Sequence, residues 1–113
     1  YRPDAVLYNL KRLTKKFPDK EIFITENGIA TDNDDERIEF VTTVLKDVHT
    51  FVSENSNVIG YLYWSLLDNF EWDLGYQMNF GLVNVDRDTY ERIPHKSAKW
   101  FGKISSTKIL SIP

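Results

Sequence analysis

Ile22-Phe23-Ile24-Thr25-Glu26-Asn27-Gly28 is the run that decides how this chain of 113 residues folds. Three apolar residues, two of them β-branched, predict a short buried strand over residues 21–26. A threonine, a glutamate, an asparagine and a glycine follow where that strand must end. A buried parallel strand that ends in a carboxylate is how an α/β barrel builds its catalytic face, which makes Glu26 the candidate catalytic carboxylate. The plainer reading takes Glu26 as the first polar residue of a surface loop, with Asn27-Gly28 as its turn. The rest of the chain weighs one against the other.

Composition narrows the function classes. The formal net charge of −3 supplies no basic field, so nucleic acid is not expected as a partner. No run approaches the roughly 18 apolar residues of a membrane span, and no cationic start precedes an apolar stretch as in a signal peptide. No membrane partner is therefore expected. The absence of cysteine excludes disulfides and thiolate metal sites and suits a reducing cytosol, so a cytoplasmic location is expected. Aromatic residues make up 14% of the chain and concentrate in its second half, where the site chemistry must be sought.

Outward from the strand, Pro3-Asp4 opens a helix, and Val6, Leu10, Leu13 and Phe17 form its apolar stripe at spacings of four, three and four. Lys11, Arg12, Lys15 and Lys16 read as a solvated face, and Pro18-Asp19 as the stop. After the strand, Asp32-Asn33-Asp34-Asp35 lacks the spaced ligands, glycine and distal glutamate of a calcium loop and reads as the cap of a helix from about Asp34 to Glu54. Ile38, Val41, Leu45, Val48 and Val52 are its expected buried stripe, widened by Phe40, Val44 and Phe51. His49, alone among them, reads as packed or solvated. Residues 53–57 form a loop. Val58 to Ser65 is a second strand, apolar almost without alternation, in which Gly60 marks a close backbone approach. A long aromatic and acidic loop follows, then an extended run from Phe80 to Val85 and a turn at Asp86-Arg87-Asp88. A last helix starts at Pro94 and carries Ala98, Trp100, Phe101 and Ile104, with a frayed tail from Ser105 to Pro113.

The order βαβα predicts a parallel α/β layer with right-handed crossovers. Two parallel strands alone leave two edges open and need helices on their faces. The chain therefore reads as a piece of a larger α/β fold. Both strands end in polar and aromatic residues on one side of the sheet: Glu26 on the first, Trp64-Ser65 on the second, with Glu71-Trp72 beyond. Carboxylates accept hydrogen bonds from paired hydroxyls, and indole faces stack on the C–H face of a pyranose ring, so the residue chemistry points to a sugar. Against it stands the commoner role of Trp64 and Trp72 as core aromatics, and of Asp68 and Asn69 as loop caps.

Thr25-Glu26-Asn27-Gly28, then Trp64-Ser65-Leu66-Leu67-Asp68-Asn69-Phe70-Glu71-Trp72, then Phe80-Gly81-Leu82, in this order and spacing, resemble the C-terminal part of glycoside hydrolase family 1. The nine-residue run is far more specific than the four-residue one. The flanks Asp35 to Phe40 and Glu91 to Phe101 are also similar, so the resemblance covers nearly the whole chain. It implies strands 7 and 8, with their helices, of the (β/α)8 TIM barrel of the retaining β-glycosidases. Residues 1–113 would then be the C-terminal fragment of one barrel domain, not a self-sufficient domain. It also implies roles: Glu26 as nucleophile, Trp64 as the platform under the sugar, and Glu71 gripping the hydroxyls at positions 4 and 6. Trp72 would donate to the hydroxyl at position 3 or 4, and Phe80 would line the pocket near position 6. No metal and no cofactor is implied.

Three departures matter. The family's acid/base glutamate stands in an Asn-Glu-Pro motif, which the chain does not contain. Relatives acting on 6-phosphorylated sugars carry serine at the Glu71 position and Lys-x-Tyr where Met78-Asn79-Phe80 stands, so an unphosphorylated β-glycoside is the expected substrate. Many relatives carry arginine where Asn79 stands. The expected partner is the missing N-terminal part of the barrel, as a separate or cleaved chain. The alternatives are a carbohydrate-binding or structural remnant without turnover, and a truncated chain kept soluble by oligomerisation.

Overall fold

Apolar residues spaced along three helices and two strands converge on one buried cluster of Leu10, Phe40, Val41, Val44, Val48 and Phe51. The computed structural model describes residues 1–55 and 57–110. Its elements run α1 (Ala5–Lys16), β1 (Ile22–Asn27), α2 (Asp34–Asn55), β2 (Val58–Tyr63), β3 (Val83–Val85), β4 (Arg92–Pro94) and α3 (Lys96–Thr107), with a single 3-10 turn at Trp72–Leu74. β1 and β2 pair in parallel, as the βαβ order requires. Ile22, Ile24, Tyr61 and Tyr63 of that sheet, with Trp100 and Phe101 of α3, pack against the cluster. Phe23, Leu62 and Trp64 are 49%, 50% and 39% exposed, so the sheet is covered on one face only. No helix among the described residues is long and apolar enough to cross a membrane.

The α2 start follows from its polar run. The Asn33 side-chain oxygen accepts the Asp35 amide at 3.1 Å, and Asp34, Asp35 and Glu36 occupy the first turn, where the helix dipole favours acids. The α2 face that is buried differs slightly from the expected stripe. Ile38, Phe40, Val41, Val44, Val48 and Phe51 are buried, while Leu45 and Val52 are only partly so. The α1 stripe enters the core through Val6, Leu7 and Leu10, and Leu13 and Phe17 stay exposed because the core draws on no later turn of that helix. Lys11, Arg12, Lys15, Lys16 and His49 are exposed.

Several boundaries move. Ser53–Asn55 belong to α2 and Ser105–Thr107 to α3, while Ser56 and residues 111–113 lie outside the described residues. β2 ends at Tyr63 rather than Ser65, and α3 begins at Lys96 rather than Pro94. Residues 92–94 form a strand that sequence patterning does not reveal, because three exposed residues ending in proline carry no period-two signal. Their strand character comes from antiparallel pairing with β3, Val83 opposite Pro94 and Val85 opposite Arg92. The Asp86 carboxylate makes that hairpin's turn by accepting the Asp88 and Thr89 amides at 3.0 and 2.7 Å. Gly60 answers to a ring instead of a backbone: a Cβ there would sit 2.4 Å from the Phe23 ring.

Candidate active site

The end of β1 is irregular in a way that aims Glu26. Ile24 pairs with Tyr61 and Asn27 with Tyr63, so three residue steps on β1 face two on β2. One extra residue in a ladder is a bulge, and it breaks the alternation of side chains. Thr25 and Glu26 are consequently both exposed. No hydrogen bond or ion pair engages the Glu26 carboxylate among the described residues. An exposed, uncommitted carboxylate at a strand's C-terminal end is available to an incoming electrophile, unlike a loop residue spent on its own turn.

Trp64 is held next to it. Its amide donates to the Asn27 carbonyl at 2.9 Å, extending the ladder past the last paired residues. Gly28 makes that approach possible, since a Cβ at this position would lie 1.9 Å from the Trp64 carbonyl oxygen. The Tyr61 hydroxyl donates to Asn27 Oδ1 at 2.8 Å and fixes the side chain after Glu26. The Trp64–Ser65 peptide is cis.

From Ser65 the chain leaves the sheet and returns alongside itself. Leu82 and Val83 amides donate to the Ser65 and Leu66 carbonyls, each at 2.9 Å, and the Asp68 amide donates to Val83 O at 3.2 Å. Buried Asp68 accepts the Gly81 amide at 2.7 Å, and Asn69 Nδ2 donates to the Ser65 hydroxyl at 2.7 Å. Both residues act as the loop caps that their residue types allow. Beyond this zipped base projects the segment carrying Glu71 and Trp72, closed on itself by the Glu71 amide on Gly75 O at 2.6 Å. Trp72 adopts a positive φ of 41° and is 82% exposed. A large aromatic with left-handed backbone and no packing is a strained, costly arrangement for a residue that only fills space. Neither Trp64 nor Trp72 is a core aromatic within the described residues.

Phe80 is half-buried and lines a cleft with Asn27, Gly28, Ala30 and Glu36. The structure thus gathers Glu26, Trp64 and Phe80 around the adjacent ends of β1 and β2. Glu71 and Trp72 stand on the projecting segment, with no hydrogen bond or ring contact to Glu26 or Trp64. Among the described residues no group of His, Cys, Asp and Glu is placed to hold a metal ion.

Sequence reasoning missed Arg37. Its side chain is 1% exposed, with Nη1 donating to Asp34 Oδ1 at 2.7 Å and Nη2 donating to the Thr31 and Asn79 carbonyls at 2.7 and 2.9 Å. Asp34 in turn accepts the Ser97 hydroxyl at 2.6 Å and amide at 2.9 Å. Burial pushes the Asp34 carboxyl up, but the Ser97 donors and the Arg37 guanidinium outweigh it, and the group titrates below the usual aspartate range. The signal was present in the sequence: Arg37 shares the helical face of Val41, Val44 and Val48, where a charge needs a partner.

With this geometry in place, comparison with known proteins is decisive. Residues 1–109 match the glycosyl hydrolase family 1 model. The chain belongs to glycosyl hydrolase family 1. It is 38% identical to a 6-phospho-β-galactosidase of Streptococcus mutans over 96% of this chain and 25% of that protein. It is 41% identical to the putative β-glucosidase 15 of Oryza sativa subsp. japonica, over 88% of this chain and 30% of the relative. A β-glycosidase from Pyrococcus horikoshii superposes with a TM-score of 0.91 at 41% identity, covering 97% of this chain and 26% of that one. The family 1 chain thus spans about a quarter of the length of the relatives it matches, and it is a partial piece of their (β/α)8 barrel.

Proposed function

We propose that this chain supplies the nucleophile and part of the sugar-binding subsite of a retaining β-glycosidase. Residues 1–113 then form the C-terminal part of one barrel domain, with β1 and β2 as its seventh and eighth strands. The observation that carries the reading is the bulged end of β1, which presents an unpartnered Glu26 beside Trp64 in a chain of this family. In this reading a Glu26 carboxylate oxygen attacks the anomeric carbon as the bond to the leaving-group oxygen breaks. The covalent glycosyl-enzyme is then hydrolysed by water, restoring the carboxylate and the original configuration. Trp64 lies under the ring, Glu71 accepts from the hydroxyls at positions 4 and 6, Trp72 donates to position 3 or 4, and Phe80 walls the pocket near position 6.

Protonation of the leaving group needs a second carboxyl about 5–5.5 Å from the first. The chain has no Asn-Glu-Pro motif to supply it, so that group comes from the remainder of the barrel, on the same polypeptide or a separate one. The 113 residues on their own are expected to be inactive. Glu71 and Met78 favour an unphosphorylated sugar, although a relative named 6-phospho-β-galactosidase is about as similar as one named putative β-glucosidase. The absence of cysteine supports a reducing, cytoplasmic setting. In the intact protein that carries this chain, Glu26→Gln should abolish hydrolysis of 4-nitrophenyl β-glucoside, lowering kcat by at least about 1,000-fold. Full activity in that variant excludes Glu26 as nucleophile. The missing acid/base motif favours one second reading, a sugar-binding remnant without turnover. Quenching of tryptophan fluorescence by sugar, with no hydrolysis by the wild type, is its mark.

A further inference from the structure

Two consecutive carbonyls, those of Asn79 and Phe80, are each held from two directions. Asn79 O accepts Arg37 Nη2 at 2.9 Å and the Thr31 amide at 3.1 Å. Phe80 O accepts the Tyr63 hydroxyl at 3.0 Å and the Ser65 amide at 3.4 Å. The Asn79 side chain adds a bond to Asp32 Oδ1 at 2.6 Å. The donors come from α2, from the loop after β1 and from the end of β2, so the two peptide units that flank Phe80 are tied to three parts of the fold. Phe80, which lines the cleft with Asn27, Gly28 and Glu36, sits between those two units.

We propose that Arg37 and Tyr63 form a clamp that sets the position of Phe80, and through it how the pocket tells sugars apart at position 6. They are positioning residues. The proposal rests on the glycosidase reading above for its substrate, and on hydrogen-bond geometry for the clamp itself. Both donors are built to last. The Arg37 guanidinium is buried and its Nη1 is bound to Asp34, so the fork is fixed and its Nη2 is held on the Thr31 and Asn79 carbonyls. Burial pushes the Tyr63 phenol up, so it stays a protonated donor across the neutral range. Nothing in this arrangement touches the reacting carbon, so the clamp acts on fit rather than on chemistry.

Tyr63→Phe removes one donor and keeps the ring packed against Phe101, which makes it the milder test; Arg37→Met removes the fork but risks the fold. In the intact protein, kcat/KM would be measured for 4-nitrophenyl β-D-glucoside and for the β-D-xyloside, which lacks the carbon at position 6. Loss of one hydrogen bond should lower the glucoside-to-xyloside ratio about five-fold for Tyr63→Phe, with the unfolding midpoint nearly unchanged. Hydrogen exchange should quicken in the peptide covering residues 78–83 and not in β1 or α2. An unchanged ratio with unchanged local exchange overturns the clamp, as does a uniform rise in exchange across the chain, which marks general destabilisation. A wild type that hydrolyses neither sugar contradicts the glycosidase reading instead. The exchange pattern of Tyr63→Phe then still decides whether the carbonyls are clamped.

Discussion

At the scale of single residues, the site depends on how close two strand ends come. Gly28 is the contact that permits it, with the Trp64 carbonyl where a methyl group would have to go. In the intact protein, Gly28→Ala should cost about 1–3 kcal/mol in stability and lower kcat/KM by at least about ten-fold, because the strand ends must separate. Thermal unfolding and glucoside kinetics together check this, and wild-type values in both would show that the approach is looser than described. Much of this was legible beforehand. Glu26 and Trp64 stand out as polar and aromatic residues closing apolar runs, and both lie where those runs end. The aim of Glu26 was not legible, since a bulge is a mismatch between two strands and neither strand carries it alone. Arg37 was legible only in part: its place on the face of Val41, Val44 and Val48 and the Asp34 side chain three residues earlier mark a paired charge, but the carbonyls it holds, 6 and 42 residues away, have no side-chain signature.

Among the elements, the helix starts do more than begin helices. Asp34 opens α2, orients Arg37 and accepts both donors of Ser97 at the start of α3, so one carboxylate locks two helices and the clamp together. Its carboxyl titrates lower in the folded chain than in an unfolded one. The stabilisation is therefore present above the ordinary aspartate range near pH 4 and is lost as pH falls through the folded value. Asp34→Asn should lower the unfolding midpoint at pH 7, and the gap from wild type should shrink on acidification below about pH 4. A gap independent of pH would mean that charge at Asp34 contributes nothing. The helices and the parallel pair were readable from apolar spacing. The β3–β4 hairpin was not, because Arg92-Ile93-Pro94 gains its strand geometry from β3 and from the turn that Asp86 builds.

For the molecule as a whole, the decisive fact is a parallel sheet covered on one face and open on the other. Phe23, Leu62 and Trp64 occupy the open face, in a chain that spans about a quarter of its family 1 relatives. In a closed barrel these residues point to the interior, where side chains from other strands complete the packing. The same remainder would supply the acid/base carboxyl, so folding and catalysis make one demand on it. The most direct measurement is to incubate the intact protein with 2,4-dinitrophenyl 2-deoxy-2-fluoro-β-glucoside, digest it and map the adduct by mass spectrometry. The fluorine slows both steps by disfavouring the oxocarbenium-like transition state, while the good leaving group keeps the first step fast enough for the glycosyl-enzyme to accumulate. One fluoroglycosyl group on the peptide containing Glu26 is the expected result. Labelling of Glu71 or another carboxylate, or turnover with no adduct at all, would contradict it.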